Sequence, residues 1–153
     1  MNREDPSPLD TLAKAAQVLA VGTGESQLHA AAEHVAVALG ADSVSLLALL
    51  ADPDFVYLVA DSEEIDTGRM RYALDQYPHI RRALEAGEVV LTGGGDAKAE
   101  VSVVYPVIIG RKPAGALLAR FAGEGSAATA ESVAGLGRLA ASLLGIVLRG
   151  ARS

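Results

Sequence analysis

No cysteine occurs in the 153 residues, which excludes disulfides, thiolate nucleophiles and any zinc or iron–sulfur site built on sulfur ligands. No apolar run reaches the ~18 residues of a membrane span. Met1-Asn-Arg-Glu-Asp5 leads into prolines, not into the apolar core of a secretion signal, so a cytoplasmic location and no membrane partner are expected. Basic residues are also scarce. Thirteen Lys and Arg against nineteen Asp and Glu leave a net charge of −6, which disfavours nucleic acid because phosphate contacts reward basic surfaces. The scarcity is uneven. No Lys or Arg stands between Lys14 and Arg69, while nine acids do; then Arg69, Arg71, Arg81 and Arg82 arrive within fourteen residues, with His79 among them.

What is present suffices for one domain with a sizeable core. Residues 1–8, with two prolines and charges, read as a disordered tail. From Leu9 the apolar positions 9, 12, 13, 16, 19 and 20 keep helical spacing up to Gly22, and a second helix runs from about Ser26 to Gly40. Ser43 to Leu50 is apolar on both faces, as a strand between two layers is, and Phe55 to Ala60 reads as its hairpin partner across Ala51-Asp-Pro-Asp54. The polar residues 61–76 read as a long connection. Pro78 suits the first position of a helix and Gly87 its left-handed end, so 78–86 should form a short helix clamped at both ends. Glu88–Leu91, Val101–Ile109 and Ala114–Phe121 read as further strands, with a flexible loop around Gly93, Gly94 and Gly95.

A long helix over about 127–149 closes the domain, which is taken as 9–149 with 150–153 a tail or the start of a linker. The apolar positions 133, 136, 140, 143 and 147 keep 3,4 spacing, and further apolar residues leave only a narrow polar stripe. One sheet face cannot cover so much apolar surface. A homodimer is therefore expected through the first and last helices, using Leu12, Val133, Leu136, Leu139, Ala140, Leu143, Ile146 and Val147. The element order gives an α+β fold, an antiparallel sheet between helical layers.

Catalytic chemistry is hard to place. His29 and His34 are five apart, not the three or four that bring two imidazoles to one helix face, so solvated or capping roles outweigh metal binding. His79 stands alone in its helix, with no flat apolar haem pocket legible around it. Asp61-Ser-Glu-Glu-Ile-Asp66 lacks the spacing of a calcium loop. The Gly22 and Gly93–Gly95 segments lack the phosphate-loop fingerprint, and Ser43, Ser45 and Ser102 have no base at motif spacing. No enzyme activity, cofactor or metal is expected. The arginine cluster reads as a solvated basic edge or as an anion-recognising mouth.

The stretches LHAAAEHVAVALGADSVSLLAL (28–49), YPHIRRALEAGEVVL (77–91) and VSVVYPVIIGRKPAGALLARF (101–121), with the closing helix, resemble the GAF family of sensory domains over roughly residues 9–149. Tyr77, Pro78, Gly87, Pro106 and Gly115 stand, in order, where that pattern has them. The resemblance implies that the short helix roofs a small-molecule pocket on one sheet face, while the long terminal helices lie on the other face and form a parallel dimer. In such a fold Tyr57, Arg69, Arg71, Tyr77, His79 and Tyr105 would line or guard the pocket, suiting a small anionic ligand. The cysteines of bilin-binding and methionine-sulfoxide reductase members are missing, as is the Asn-Lys-Phe-Asp-Glu signature of cyclic-nucleotide binders. Two readings follow. One is a sensory module that signals to an output domain or partner protein; the other is a ligand-free dimerisation or interaction module, GAF-like or Roadblock-like.

Overall fold

The computed structural model describes residues 7–49, 54–65, 67, 70–93, 100–123 and 126–151, without the side chains of 126, 127, 150 and 151. Residues 1–6 of the expected tail, 51–53 of the hairpin turn, Arg69, 94–95 of the glycine loop and 152–153 lie outside the described residues. Helix α1 (Pro8–Val21) begins earlier than the spacing suggests, because Ser7 caps it by accepting the Asp10 N–H at 3.1 Å and Pro8 takes the first turn. Helix α2 (Glu25–Leu39) leads into β1 (Ser43–Leu49), and β2 (Phe55–Asp61) returns antiparallel to it.

The expected connection over 61–76 is partly structured. Arg71–Ala73 form a short strand, β3, on the outer edge of β2, followed by a 3₁₀ turn at Leu74–Gln76. Sequence periodicity does not reach a three-residue strand, whose conformation comes from its neighbour's ladder. Helix α3 (Pro78–Ala86) matches the expected clamp at both ends: Pro78 opens it, and Gly87 closes it at φ 66° in the left-handed region. Strand β4 is Val90–Gly93, two residues later than expected, because the chain is still turning out of the helix at Glu88. Strands β5 (Val101–Ile109) and β6 (Lys112–Phe121) are joined through Gly110 and Arg111, both at positive φ as a two-residue hairpin turn requires.

The six strands run in the order β3-β2-β1-β6-β5-β4, every neighbouring pair antiparallel. One face carries the larger core, into which α1, α2 and the last helix pack; the other carries a smaller core roofed by α3. The alternation of β1 explains the split. Val44, Leu46 and Ala48 enter the large core, while Ser43, Ser45 and Leu47 face α3.

The closing helix is two helices, α4 (Ser126–Ser132) and α5 (Ala134–Ala151). At the break the Ser132 hydroxyl donates to the Thr129 carbonyl at 2.8 Å, a local bond that competes with the helix ladder. Close to it, Gly137 is in contact with the Tyr105 ring: a Cβ there would overlap the phenol. The glycine lets α5 approach β5.

The expected dimer stripe turns inward. Ala140 and Val147 are buried in the chain's own large core with Leu12, and Val133, Leu136 and Leu143 pack against that core. The sheet and α1 together use up that side of α5. Only Leu139 and Ile146 of the eight expected residues remain outside, 47 % and 62 % exposed.

Candidate functional site

The face under α3 is built by strand register. Cross-strand neighbours share a face, so Ser43 opposite Arg120, Ser45 opposite Leu118 and Leu47 opposite Ala116 all point toward α3. On the other side of β1 the register slips. Leu46 pairs with Ala60 but Leu47 with Leu58, leaving Val59 as an extra residue in β2. This bulge changes the alternation of β2, so that Leu58 and Asp61 both reach the α3 face; without it Asp61 would turn toward α2.

Leu74, Ile80, Ala83 and Leu84 fill most of the space between α3 and the sheet. A small pocket of about 80 Å³, partly open to solvent, remains, lined by Leu47, Leu58, Ile80 and Leu118 and by Ser45, Asp61, Tyr72, Tyr77 and Arg120. The Tyr72 and Tyr77 rings meet edge to face at 5.7 Å and form one wall. Arg120 donates from Nη1 to Ser43 Oγ at 3.2 Å, which holds the guanidinium at the cavity. Among the described residues no carboxylate lies within 4.0 Å of it. Asp61 is fixed from both sides: its Oδ1 accepts the Glu63 N–H at 2.9 Å, and its carbonyl lies 2.8 Å from His29 Nδ1 on α2.

The site's electrostatics follow from this. Burial, then the nearby Tyr77 and Asp61, push the Tyr72 phenol above its ordinary pKa, and Arg120 pulls the other way. The Tyr72 hydroxyl thus feels both charges. His79, on α3, is held below the usual histidine range by burial first, then by Arg82 and Arg120.

Of the pocket residues expected from sequence, the structure brings Tyr77 to the cavity and His79 beside it, its ring 6.4 Å from that of Tyr77. Three others are placed elsewhere. Tyr57 pairs with Ala48 and so faces α2, and Arg71 opposite it stacks its guanidinium 4.4 Å over the Phe55 ring. Tyr105 lies on the opposite sheet face, 1 % exposed, against Gly137. Their strands have apolar residues on both faces, so alternation alone cannot say which face a tyrosine takes. Arg69 lies outside the described residues. Arg81 is tied to Asp75 at 2.8 Å, part of the solvated basic edge. Sequence reasoning missed Arg120 and Tyr72, and weighed Asp61 and Ser45 only as part of a calcium loop and as a nucleophile, not as pocket residues. A signal existed for Arg120: it is the one charge after the apolar run Ala114–Ala119, two positions beyond Leu118.

A larger open groove of about 780 Å³ runs between α5 and the end of β5, on the sheet face away from α3. Among the described residues no three His, Asp or Glu side chains converge on a metal-sized point, and no helix is long and apolar enough to cross a membrane.

Solved structures share this fold. The A. Aeolicus nlh2 GAF domain superposes with a TM-score of 0.70 over 93% of this chain and 95% of its own, at 9% identity. This chain has the GAF fold. The GAF domain from an Acinetobacter phosphoenolpyruvate-protein phosphotransferase gives a TM-score of 0.66 at 19% identity, over 94% and 93% of the two chains. The phycocyanobilin-bound GAF domain from a cyanobacterial phytochrome gives 0.66 at 14%, over 95% of each. No protein-family model matches the sequence, and no curated protein matches it either. The likeness is therefore one of fold.

Proposed function

We propose that this GAF-fold chain is a non-enzymatic, cytoplasmic sensory domain. It binds a small anionic molecule beneath α3 and passes the occupancy of that site, through a homodimer of its terminal helices, to an output domain or a signalling partner. The observation that carries the reading is Arg120: a guanidinium anchored by Ser43 at the cavity, with no carboxylate partner among the described residues. Solved GAF neighbours include a domain with phycocyanobilin bound, which supports a sensory role for the fold. A cavity of about 80 Å³ is far below the ~300–1,000 Å³ of pockets for drug-sized ligands. A bilin-sized chromophore does not fit it. Ligand that binds only the folded state raises stability, by ~2.7 kcal/mol at 100 times its dissociation constant. Thermal shifts with acetate, formate and nitrate test the reading: the expected result is a rise in melting temperature that Arg120→Met abolishes. No shift with any small carboxylate or inorganic anion would remove the sensor.

A second reading, a ligand-free dimerisation or interaction module, has its own support in how fully Leu74, Ile80 and Leu84 pack the space under α3. It predicts no ligand response and a partner-binding surface on the helical face. For either reading the helical surface open to a second copy is marked by Leu139 and Ile146, seven residues apart on α5.

A further inference from the structure

The cavity under α3 holds two opposite charges that do not meet. Arg120 and Asp61 both border it, yet among the described residues neither forms an ion pair within 4.0 Å. The bulge at Val59 brings Asp61 to this face, and the Ser43 hydroxyl holds Arg120 on its own side. Each charge is met only by a neutral hydrogen-bonding group, the Ser43 hydroxyl for Arg120 and the Glu63 N–H for Asp61. An anion alone would relieve Arg120 while standing close to the Asp61 carboxylate. A molecule with a carboxylate at one end and an ammonium at the other relieves both.

The room sets the rest. The space is small, about 80 Å³, and partly open to solvent, so it suits a ligand of few heavy atoms held at its two charged ends. Ile80, Leu58 and Leu118 close the apolar side, so no long side chain can extend there without moving α3. The Tyr72 and Tyr77 rings provide π-faces and hydroxyls beside the space between the two charges, a suitable wall for an ammonium group.

We propose that the ligand is a small zwitterion, an α-amino acid no larger than alanine, with its carboxylate on Arg120 and its ammonium on Asp61. This rests on the small-molecule sensor reading and replaces its anion by a zwitterion whose carboxylate takes the same contact with Arg120. Recognition at both ends makes the pair selective in two directions. Acetate forgoes the Asp61 contact and methylamine forgoes the Arg120 contact, while leucine presents both ends but is too large.

Isothermal titration of the full chain with glycine, alanine, acetate, methylamine and leucine tests it. Glycine or alanine should bind at least tenfold more tightly than acetate, with no binding of methylamine or leucine. Asp61→Asn keeps the acceptor oxygen that takes the Glu63 N–H, so the turn survives. It should reduce the preference for glycine over acetate to less than twofold. Arg120→Met should abolish both, with circular dichroism checking that it folds; if it does not fold, the Asp61→Asn preference still decides. Acetate binding as tightly as glycine, or a preference untouched by Asp61→Asn, overturns the zwitterion while leaving the anion sensor standing. Leucine binding in place of glycine overturns the size limit, and silence from every probe removes the sensor reading too.

Discussion

The ring of Tyr105 rests against Gly137, which brings the middle of α5 down onto β5 and leaves the phenol oxygen buried without a hydrogen-bond partner among the described residues. Replacing Gly137 by Ala gains about 1 kcal/mol of helix propensity but forces a methyl into the phenol, an overpacking worth about 1–3 kcal/mol. Destabilisation should win. Gly135 is the control, exposed and with no atom within 4 Å of an added Cβ. Gly135→Ala, in the first turn of α5, should stabilise by at most about 1 kcal/mol. Urea midpoints of the two variants should move in opposite directions.

Tyr105→Phe removes the unpartnered hydroxyl and keeps the ring against Gly137. Because an unsatisfied buried polar group costs about 1–3 kcal/mol, the variant should be as stable as the parent or more so. A clear drop in melting temperature would show that the hydroxyl has a partner in solution.

His79 gives a pH dependence of definite sign. Its folded-state pKa lies below the ordinary 6.5, so the unfolded chain binds more protons across that window. Stability from this group is present above pH 6.5 and is lost as pH falls through the lowered folded value. His79→Gln should flatten that acid limb in a series of urea titrations. Since Arg120 is among the causes, an anion bound there should move the His79 pKa upward in an NMR titration, and a downward movement would separate the two sites.

The dimer prediction now rests on Leu139 and Ile146. Glu at both positions should leave the fold intact and yield a monomer in sedimentation equilibrium at micromolar concentration. Glu at Ala140 or Val147 should instead unfold the domain, because both side chains lie in its own core.

Gly87→Ala isolates the helix stop. A Cβ there meets nothing within 4 Å, so the expected loss of about 1 kcal/mol comes from the left-handed backbone alone. Gly87→Asn, better tolerated in that region, should lose less.

Local chemistry is the part of this protein written in the sequence itself. Pro78 and Gly87 define α3 at both ends because a missing N–H and a missing Cβ act within one turn, whatever surrounds them. The apolar lengths of β1, β5 and β6 were legible for the same reason, as was their place between two layers of helices. Which face each residue took was decided by tertiary pairing. The extra residue at Val59 turns Asp61 toward Ser45, β3 exists only as an addition to β2, and Tyr105 sits under α5, not under α3. Side-chain direction in a strand has period two, so a single bulge reverses everything beyond it. The expected dimer stripe turned inward by the same logic: helical spacing marks an apolar face, but only the completed sheet and α1 decide whether that face meets the chain's own core or a second copy.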